Sequence, residues 1–133
     1  MKVKELMASQ VETLGRNDTL SFAEDLMKMK RFRYLPVLED ELLVGIVSQR
    51  DLFRAALSSA MGFGTKAQGE YLKTVLVKEV MTDEVVTIRP DDDITKAAKK
   101  MLREKIGCLP VVNGDKLVGL ISESDIVRLA AES

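Results

Sequence analysis

A shift of 74 residues lays this chain on itself. Residues 3–57 align with 77–131 without a gap, and 19 of the 55 paired positions are identical. A duplication on this scale constrains the fold more than any other feature. At 133 residues the chain is long enough for one domain and too short for two ordinary ones, so two half-units must share their burial. The duplication divides the chain into a first repeat over 1–57, a connection over 58–76 and a second repeat over 77–133.

Each copy opens on matching words, Val3-Lys4-Glu5-Leu6-Met7 and Val77-Lys78-Glu79-Val80-Met81. Short β-type segments are predicted over 11–14 and 85–88, with Thr13 and Thr87 in register. Asn17 and Asp18 before Leu20, and Pro90 with Asp91, Asp92 and Asp93 before Ile94, are helix-start signals. The acids invite a metal reading, but complementing a helix N-terminus accounts for them better. Ile94, Ala97, Ala98 and Met101 have the spacing of one buried helical stripe, and Leu20, Ala23 and Met27 repeat it more weakly.

A β-hairpin is then predicted in each half, 35–38 with 42–48 and 108–112 with 117–122. Asn113-Gly114 suits a type I′ turn. The strands are almost wholly apolar, so helices must cover both faces. The closing helices carry Leu52, Phe53, Ala56 and Leu57, and Ile126, Val127, Leu129 and Ala130. In the connection, Gly62, Gly64 and Gly69 loosen the chain. A helix is expected from Gly69, with Tyr71, Leu72, Val75 and Leu76 packing, while Met61 and Phe63 are read as core or as a partner surface. The order is β-α-β-β-α, twice, in an α/β (α+β) fold.

Composition narrows the chemistry. There is no histidine, which removes every nucleophile activated by a histidine base, and the single cysteine excludes disulfides and Cys/His zinc clusters. Cys108, in an apolar run, reads as a buried inert thiol. A net charge of −1 and 5% aromatic residues give no basic face or stacking platform for nucleic acid. No apolar run approaches the roughly 20 residues that span a bilayer, and no signal-peptide core is present at the start, so no membrane association and a cytoplasmic location are expected.

The most informative string is Gly45-Ile46-Val47-Ser48-Gln49-Arg50-Asp51, matched by Gly119-Leu120-Ile121-Ser122-Glu123-Ser124-Asp125. Two readings of it stand side by side. Serine and the acid three residues later fit a capping box that needs no ligand, and each glycine can be a place where packing admits no side chain. The same strand-to-helix turn also exposes free N–H groups to a phosphate, the serine hydroxyl adds a donor, and the carboxylate can accept from a ribose diol.

The whole constellation resembles the cystathionine-β-synthase (CBS) domain, and two in tandem resemble a Bateman module. Leu35-Pro36-Val37 and Leu109-Pro110-Val111, with the two strings above, carry the likeness. The resemblance implies two sheets packed face to face with helices outside, related by a pseudo-twofold axis, and two clefts for adenosine ligands. AMP is the foremost candidate, with ADP or ATP next and S-adenosylmethionine as an alternative. Carried over, Asp51 and Asp125 would hold the ribose, with Ser48 and Ser122 beside ribose or phosphate. The base would lie against Val11, Thr13, Val85, Thr87, Leu35, Pro36, Leu109 and Pro110, each of which also reads as plain core.

The copies differ where phosphate matters: Arg33 and Arg50 in the first stand opposite Gly107 and Ser124 in the second. The implied role is a regulatory module sensing adenine nucleotides, a homodimer signalling to an unidentified protein in trans, with no catalysis, catalytic cofactor or metal site. A ligand-free interaction scaffold is the other reading.

Overall fold

The computed structural model describes residues 1–60 and 70–132; the expectations on Met61, Gly62, Phe63, Gly64 and Gly69 lie outside the described residues. In chain order the elements are α1 (Val3–Leu6), β1 (Leu14–Gly15), α2 (Leu20–Lys30), β2 (Tyr34–Glu39), β3 (Leu42–Ser48) and α3 (Gln49–Ala60). A 3-10 turn (Val77–Glu79), α4 (Ile94–Glu104), β4 (Cys108–Asn113), β5 (Lys116–Ser122) and α5 (Glu123–Glu132) follow. The fold is mixed α+β, built from two copies of one unit. Residues 70–72 are helical. Leu72 is buried there and Val75 packs on the same core, whereas Tyr71, expected to pack, is exposed.

The helices begin and end as their sequences require. Thr19 Oγ1 accepts from Phe22 N–H at 3.1 Å to start α2, and Asp93 Oδ2 accepts from Thr95 N–H at 2.9 Å to start α4. Both stop at a residue in the left-handed region, Arg31 (φ 58°) and Lys105 (φ 56°). The other acids are also occupied. Asp18 and Asp92 accept from Gly15 and Arg89 N–H, and Asp91 pairs with Lys2 and Lys4. Leu20, Ala23 and Met27 of α2, and Ala97 and Met101 of α4, form the buried stripes.

The hairpins pair in equivalent register, Tyr34 opposite Ser48 and Cys108 opposite Ser122, each with an irregularity after the strand's fourth residue, at Val37/Leu38 and Val111/Val112. Their turns differ. Asp40 and Glu41 both have positive φ, the type I′ pattern, achieved without glycine. In the second hairpin the turn residues are Gly114 and Asp115, not Asn113 and Gly114. Only Gly114 has positive φ, so the I′ expectation gives way to the II′ pattern.

The compact units cut across the repeats. One comprises Glu12–Val85; the other joins Met1–Val11 to the chain from Val86 onward. Each opening segment therefore completes the other repeat. Val3 N–H donates to Asp92 O at 2.8 Å, Lys4 N–H to Pro90 O at 3.0 Å, and Ala8 and Leu120 exchange bonds of 2.8 and 2.9 Å. Shifted by 74 residues, the same bonds recur in the other unit. Val77 donates to Asp18 O at 2.7 Å, Lys78 to Arg16 O at 3.0 Å, and Ile46 and Thr82 exchange bonds of 3.0 and 2.9 Å.

The cores follow this exchange. Val77 is buried with Leu14, Leu20, Leu35, Val37 and Val47, and Val3 with Ile88, Leu109, Val111 and Ile121. Each such side chain contributes about 1.5–3 kcal/mol of burial. Gly45 and Gly119 are the points of closest approach. A Cβ on Gly119 would lie 2.7 Å from the Ala8 carbonyl oxygen and 2.6 Å from Met7 Sδ; one on Gly45 would lie 2.5 Å from Met81 Sδ and 3.1 Å from the Thr82 oxygen. Packing against the exchanged segment is what requires glycine there.

The exchange also shortens the first strands. The β-type segments expected over 11–14 and 85–88 pair only at their ends, as β1 along β2 and as a single parallel bridge between Ile88 and Val111. The chain leaves one unit at Val11 and the other at Val85, so the backbone there has no strand to follow.

Candidate functional site

In the unit Glu12–Val85, β3 ends at Ser48 and α3 begins at Gln49. Ser48 N–H donates to Asp51 Oδ2 at 2.8 Å, and Asp51 N–H donates to Ser48 Oγ at 3.1 Å. Both arms of a capping box are made. Ser48 Oγ is used as an acceptor, so its O–H remains a donor, and Asp51 Oδ1 has no hydrogen-bond partner among the described residues. Gln49 N–H donates to the Arg33 carbonyl at 2.8 Å, which draws the start of β2 to the start of α3. Arg33 and Arg50 consequently rise from the same end of the hairpin. Both are exposed, and neither forms an ion pair among the described residues.

The equivalent turn of the other unit has the same backbone and different side-chain chemistry. Ser122 N–H donates to Asp125 Oδ2 at 2.9 Å, and Glu123 N–H donates to the Gly107 carbonyl at 2.9 Å. Here the Ser122 hydroxyl donates to Asp125 Oδ2 at 3.1 Å, and Arg128 Nη1 reaches Asp125 Oδ1 at 3.4 Å. Both oxygens of this carboxylate are engaged. Cys108 lies across from Ser122 where Tyr34 lies across from Ser48. Burial, and secondarily the Asp125 charge, push the Cys108 thiol up to about 12, so it stays protonated and unreactive.

The remaining expected residues divide between the units. Thr13, Leu35, Pro36 and Val85 belong with the Ser48–Asp51 turn; Val11, Thr87, Leu109 and Pro110 belong with the Ser122–Asp125 turn. Val11, Thr13, Val85 and Thr87 are half-buried. Leu35 and Leu109 have no exposed surface and are packed in the two cores. Val11 and Val85 each fall with the turn of the other repeat, a consequence of the exchanged openings.

Two groups at these turns escape a reading based on family strings. Arg128 is one; its identity with Arg54 across the repeat and its place three residues after an aspartate were visible signals. Lys100 is the other. Its Nζ donates to the Thr87 carbonyl at 2.7 Å, whereas Leu26 stands at the equivalent position of the first copy. No local pattern announces that bond, because it joins residues on a helix and an extended segment. Among the described residues no group of three acidic or cysteine side chains could hold a metal ion, and no helix is long and apolar enough to cross a membrane.

Comparison with known proteins agrees with this geometry. The CBS domain family model matches the chain twice, over residues 3–58 and 77–132. CBS domain-containing protein YhcV of Bacillus subtilis is 33% identical over 124 residues, covering 93% of this chain and 81% of that protein. Among solved structures, a Vibrio cholerae protein named for acetoin utilization (AcuB) matches with a TM-score of 0.81 at 38% identity, covering 99% of this chain and 91% of that one. The CBS domain pair of protein MJ0100, crystallised with 5′-methylthioadenosine and S-adenosyl-L-methionine, matches with a TM-score of 0.84 at 25% identity, covering 99% and 97%. Homoserine O-acetyltransferases also match, and the chain spans only 24% of the Methanohalobium evestigatum enzyme, at 32% identity over 132 residues.

Proposed function

The chain belongs to the CBS domain family as a tandem pair, a regulatory module, and on that premise we propose that its two strand-to-helix turns bind adenosine ligands. The observation that carries the reading is the twice-built turn in which a half-buried aspartate is fixed by Ser48 or Ser122 N–H at the end of a strand. A carboxylate so held is preorganised to accept from the two hydroxyls of a ribose, and the adjoining helix N-terminus favours an anionic group. Asp51 and Asp125 take the ribose, and Ser48 and Ser122 adjoin the ribose or phosphate. Arg33 and Arg50 reach a phosphate, while Val11, Thr13, Val85 and Thr87, with the prolines Pro36 and Pro110 beside Leu35 and Leu109, frame the base.

AMP is the ligand proposed first, with ADP and ATP next. The sulfur-bearing adenosine compounds in the MJ0100 structure, 5′-methylthioadenosine and S-adenosyl-L-methionine, keep S-adenosylmethionine in the set. The module works in the cytoplasm without catalysis of its own or a bound metal, and passes its state to a protein partner. A homodimer through the closing helices is supported by their exposed apolar side chains, Phe53 and Leu57 on α3 and Val127 on α5.

A thermal-shift titration with AMP, ADP, ATP, S-adenosylmethionine and 5′-methylthioadenosine tests the reading. A true ligand at a hundredfold excess over its Kd stabilises the fold by about 2.7 kcal/mol. The ligand-free scaffold is the second reading, favoured by the completeness of the capping box around Ser48 and Asp51 without any ligand. Asp51→Asn and Asp125→Asn separate the two, since an amide oxygen can still cap while the paired acceptors for a diol are lost. Loss of the shift with folding intact supports ligand binding; absence of any shift in the unaltered protein supports the scaffold.

A further inference from the structure

We infer that the two turns divide adenosine ligands by charge: the Ser48–Asp51 turn takes the phosphate-bearing nucleotide, and the Ser122–Asp125 turn takes an adenosine ligand without phosphate. This rests on the proposed adenosine reading and adds the ligand class of each turn. Three independent differences point the same way. Arg33 and Arg50 are drawn to one end of the β2–β3 hairpin by the bond from Gln49 N–H to the Arg33 carbonyl, and neither guanidinium has an ion-pair partner among the described residues. Their counterparts are Gly107 and Ser124, which carry no charge. Guanidinium groups match phosphate oxygens in a planar, two-point geometry that no other side chain reproduces.

The hydroxyls differ next. Ser48 Oγ accepts from Asp51 N–H and keeps its own proton for an incoming oxygen, while Ser122 Oγ–H donates to Asp125 Oδ2. The carboxylates differ last. Asp51 Oδ1 is without a partner among the described residues, whereas Asp125 Oδ1 already holds Arg128, the cation closest in sequence to that turn. A phosphate at the second turn would meet cations that are already engaged, Arg128 on Asp125 Oδ1 and Lys100 on the Thr87 carbonyl. At the first turn it meets two arginines without an ion-pair partner among the described residues, and a hydroxyl donor.

Isothermal titration of the intact protein with adenosine and with AMP tests the division. AMP is expected to bind one site more tightly than adenosine does. Arg50→Ala and Arg33→Ala should each lower AMP affinity there by about tenfold while leaving adenosine affinity unchanged. Both arginines are exposed, so these variants should fold, and Arg50→Lys should retain part of the preference. Ser124→Arg should raise AMP affinity at the second turn. Raising the salt concentration should narrow the gap between AMP and adenosine. If adenosine binds and AMP binds no tighter, or if two equal AMP sites survive both alanine variants, the division is wrong and the adenosine reading stands. If none of adenosine, AMP, ADP, ATP, 5′-methylthioadenosine and S-adenosylmethionine binds, the adenosine reading itself fails.

Discussion

The two compact units have the same backbone plan and different surfaces. Hydrogen bonds, the left-handed helix ends and the glycines pressed by an exchanged segment recur 74 residues apart, from Arg31 and Lys105 to Gly45 and Gly119. Around the shared serine and aspartate of the turns, the neighbouring side chains and their bonds do not recur. Among the described residues, one unit has an aspartate with an oxygen to spare and two unpaired arginines; the other has an aspartate bonded on both oxygens and a buried thiol beside it. Duplication preserved what the fold needs and left free what a ligand would feel. The glycines and apolar strands are needed twice because each core must close, whereas exposed arginines contribute little to stability and can change in one copy alone.

The largest effect that would sharpen this comparison is expected at the glycines. Gly119→Ala puts a methyl 2.7 Å from a backbone carbonyl that cannot move without the Ala8–Leu120 bridge opening. Gly45→Ala meets first the flexible end of Met81, with the Thr82 oxygen farther away at 3.1 Å. Both should destabilise in urea titration, by about 1–3 kcal/mol, with Gly119→Ala the more costly. Equal losses would mean that the two exchanged segments pack with equal tolerance.

A smaller difference is expected between Asp51→Ala and Asp125→Ala. Each removes a cap, at a cost of about 0.5–2 kcal/mol. The second change also strips Ser122 Oγ and Arg128 of their acceptor, so it should sit at the upper end of that range and the first at the lower. Denaturant midpoints of the two variants check the order, and a reversed order would show that the extra bonds at Asp125 add no stability.

The smallest effect should appear in acid. A hydrogen bond and the charge of Lys4 hold Asp91 below its usual 3.8, the Arg89 N–H does the same for Asp92, and Thr95 for Asp93. Carboxyls lowered on folding favour the folded state above their ordinary value, and that contribution fades as pH falls below about 4 through the lowered values. Asp91 and Asp93 are exposed and Asp92 is half-buried, so solvent screens most of the effect and the change is slight. Asn17 and Thr19 stand where Asp91 and Asp93 would be in the other unit. Amide protection at Val3, corrected for intrinsic exchange, should therefore fall between about pH 4 and 2 by more than protection at Val77.

Much of this was legible beforehand. The stripes of α2 and α4 and the hairpin strands follow from spacing and from which residues are apolar, both local properties. The start of α4 was readable because Asp93, in the expected acidic cluster, acts on an N–H two residues away. By contrast, α2 is capped by Thr19 and not by the expected Asn17 or Asp18, since Asp18 turns back to the Gly15 N–H. The second hairpin turn was misplaced by one residue, since Asn113-Gly114 is a strong pair and only the strand register shows that Asn113 still pairs, with Lys116. Tyr71 and the short first strands were misjudged because their packing depends on distant chain. At the candidate site the Ser–Asp strings were visible as both cap and grip, but not which hydroxyl would be left free.

By itself the sequence determined the repeat, the order of elements, the Ser–Asp strings and the unequal charges at the two turns, because each of these is written in the residue letters themselves. Only the tertiary structure decided which repeat each opening segment completes. Val3-Lys4-Glu5 and Val77-Lys78-Glu79 are the same word, so nothing local distinguishes docking on one's own repeat from docking on the other. The choice is made where the Ala8 and Thr82 backbones meet Leu120 and Ile46, on edges assembled from residues far away in sequence. Side-chain geometry also separated the turns. Arg54 and Arg128 both follow an aspartate by three residues, yet Asp125 Oδ1 holds its arginine while Asp51 Oδ1 has no partner among the described residues, a difference that identical letters could not express.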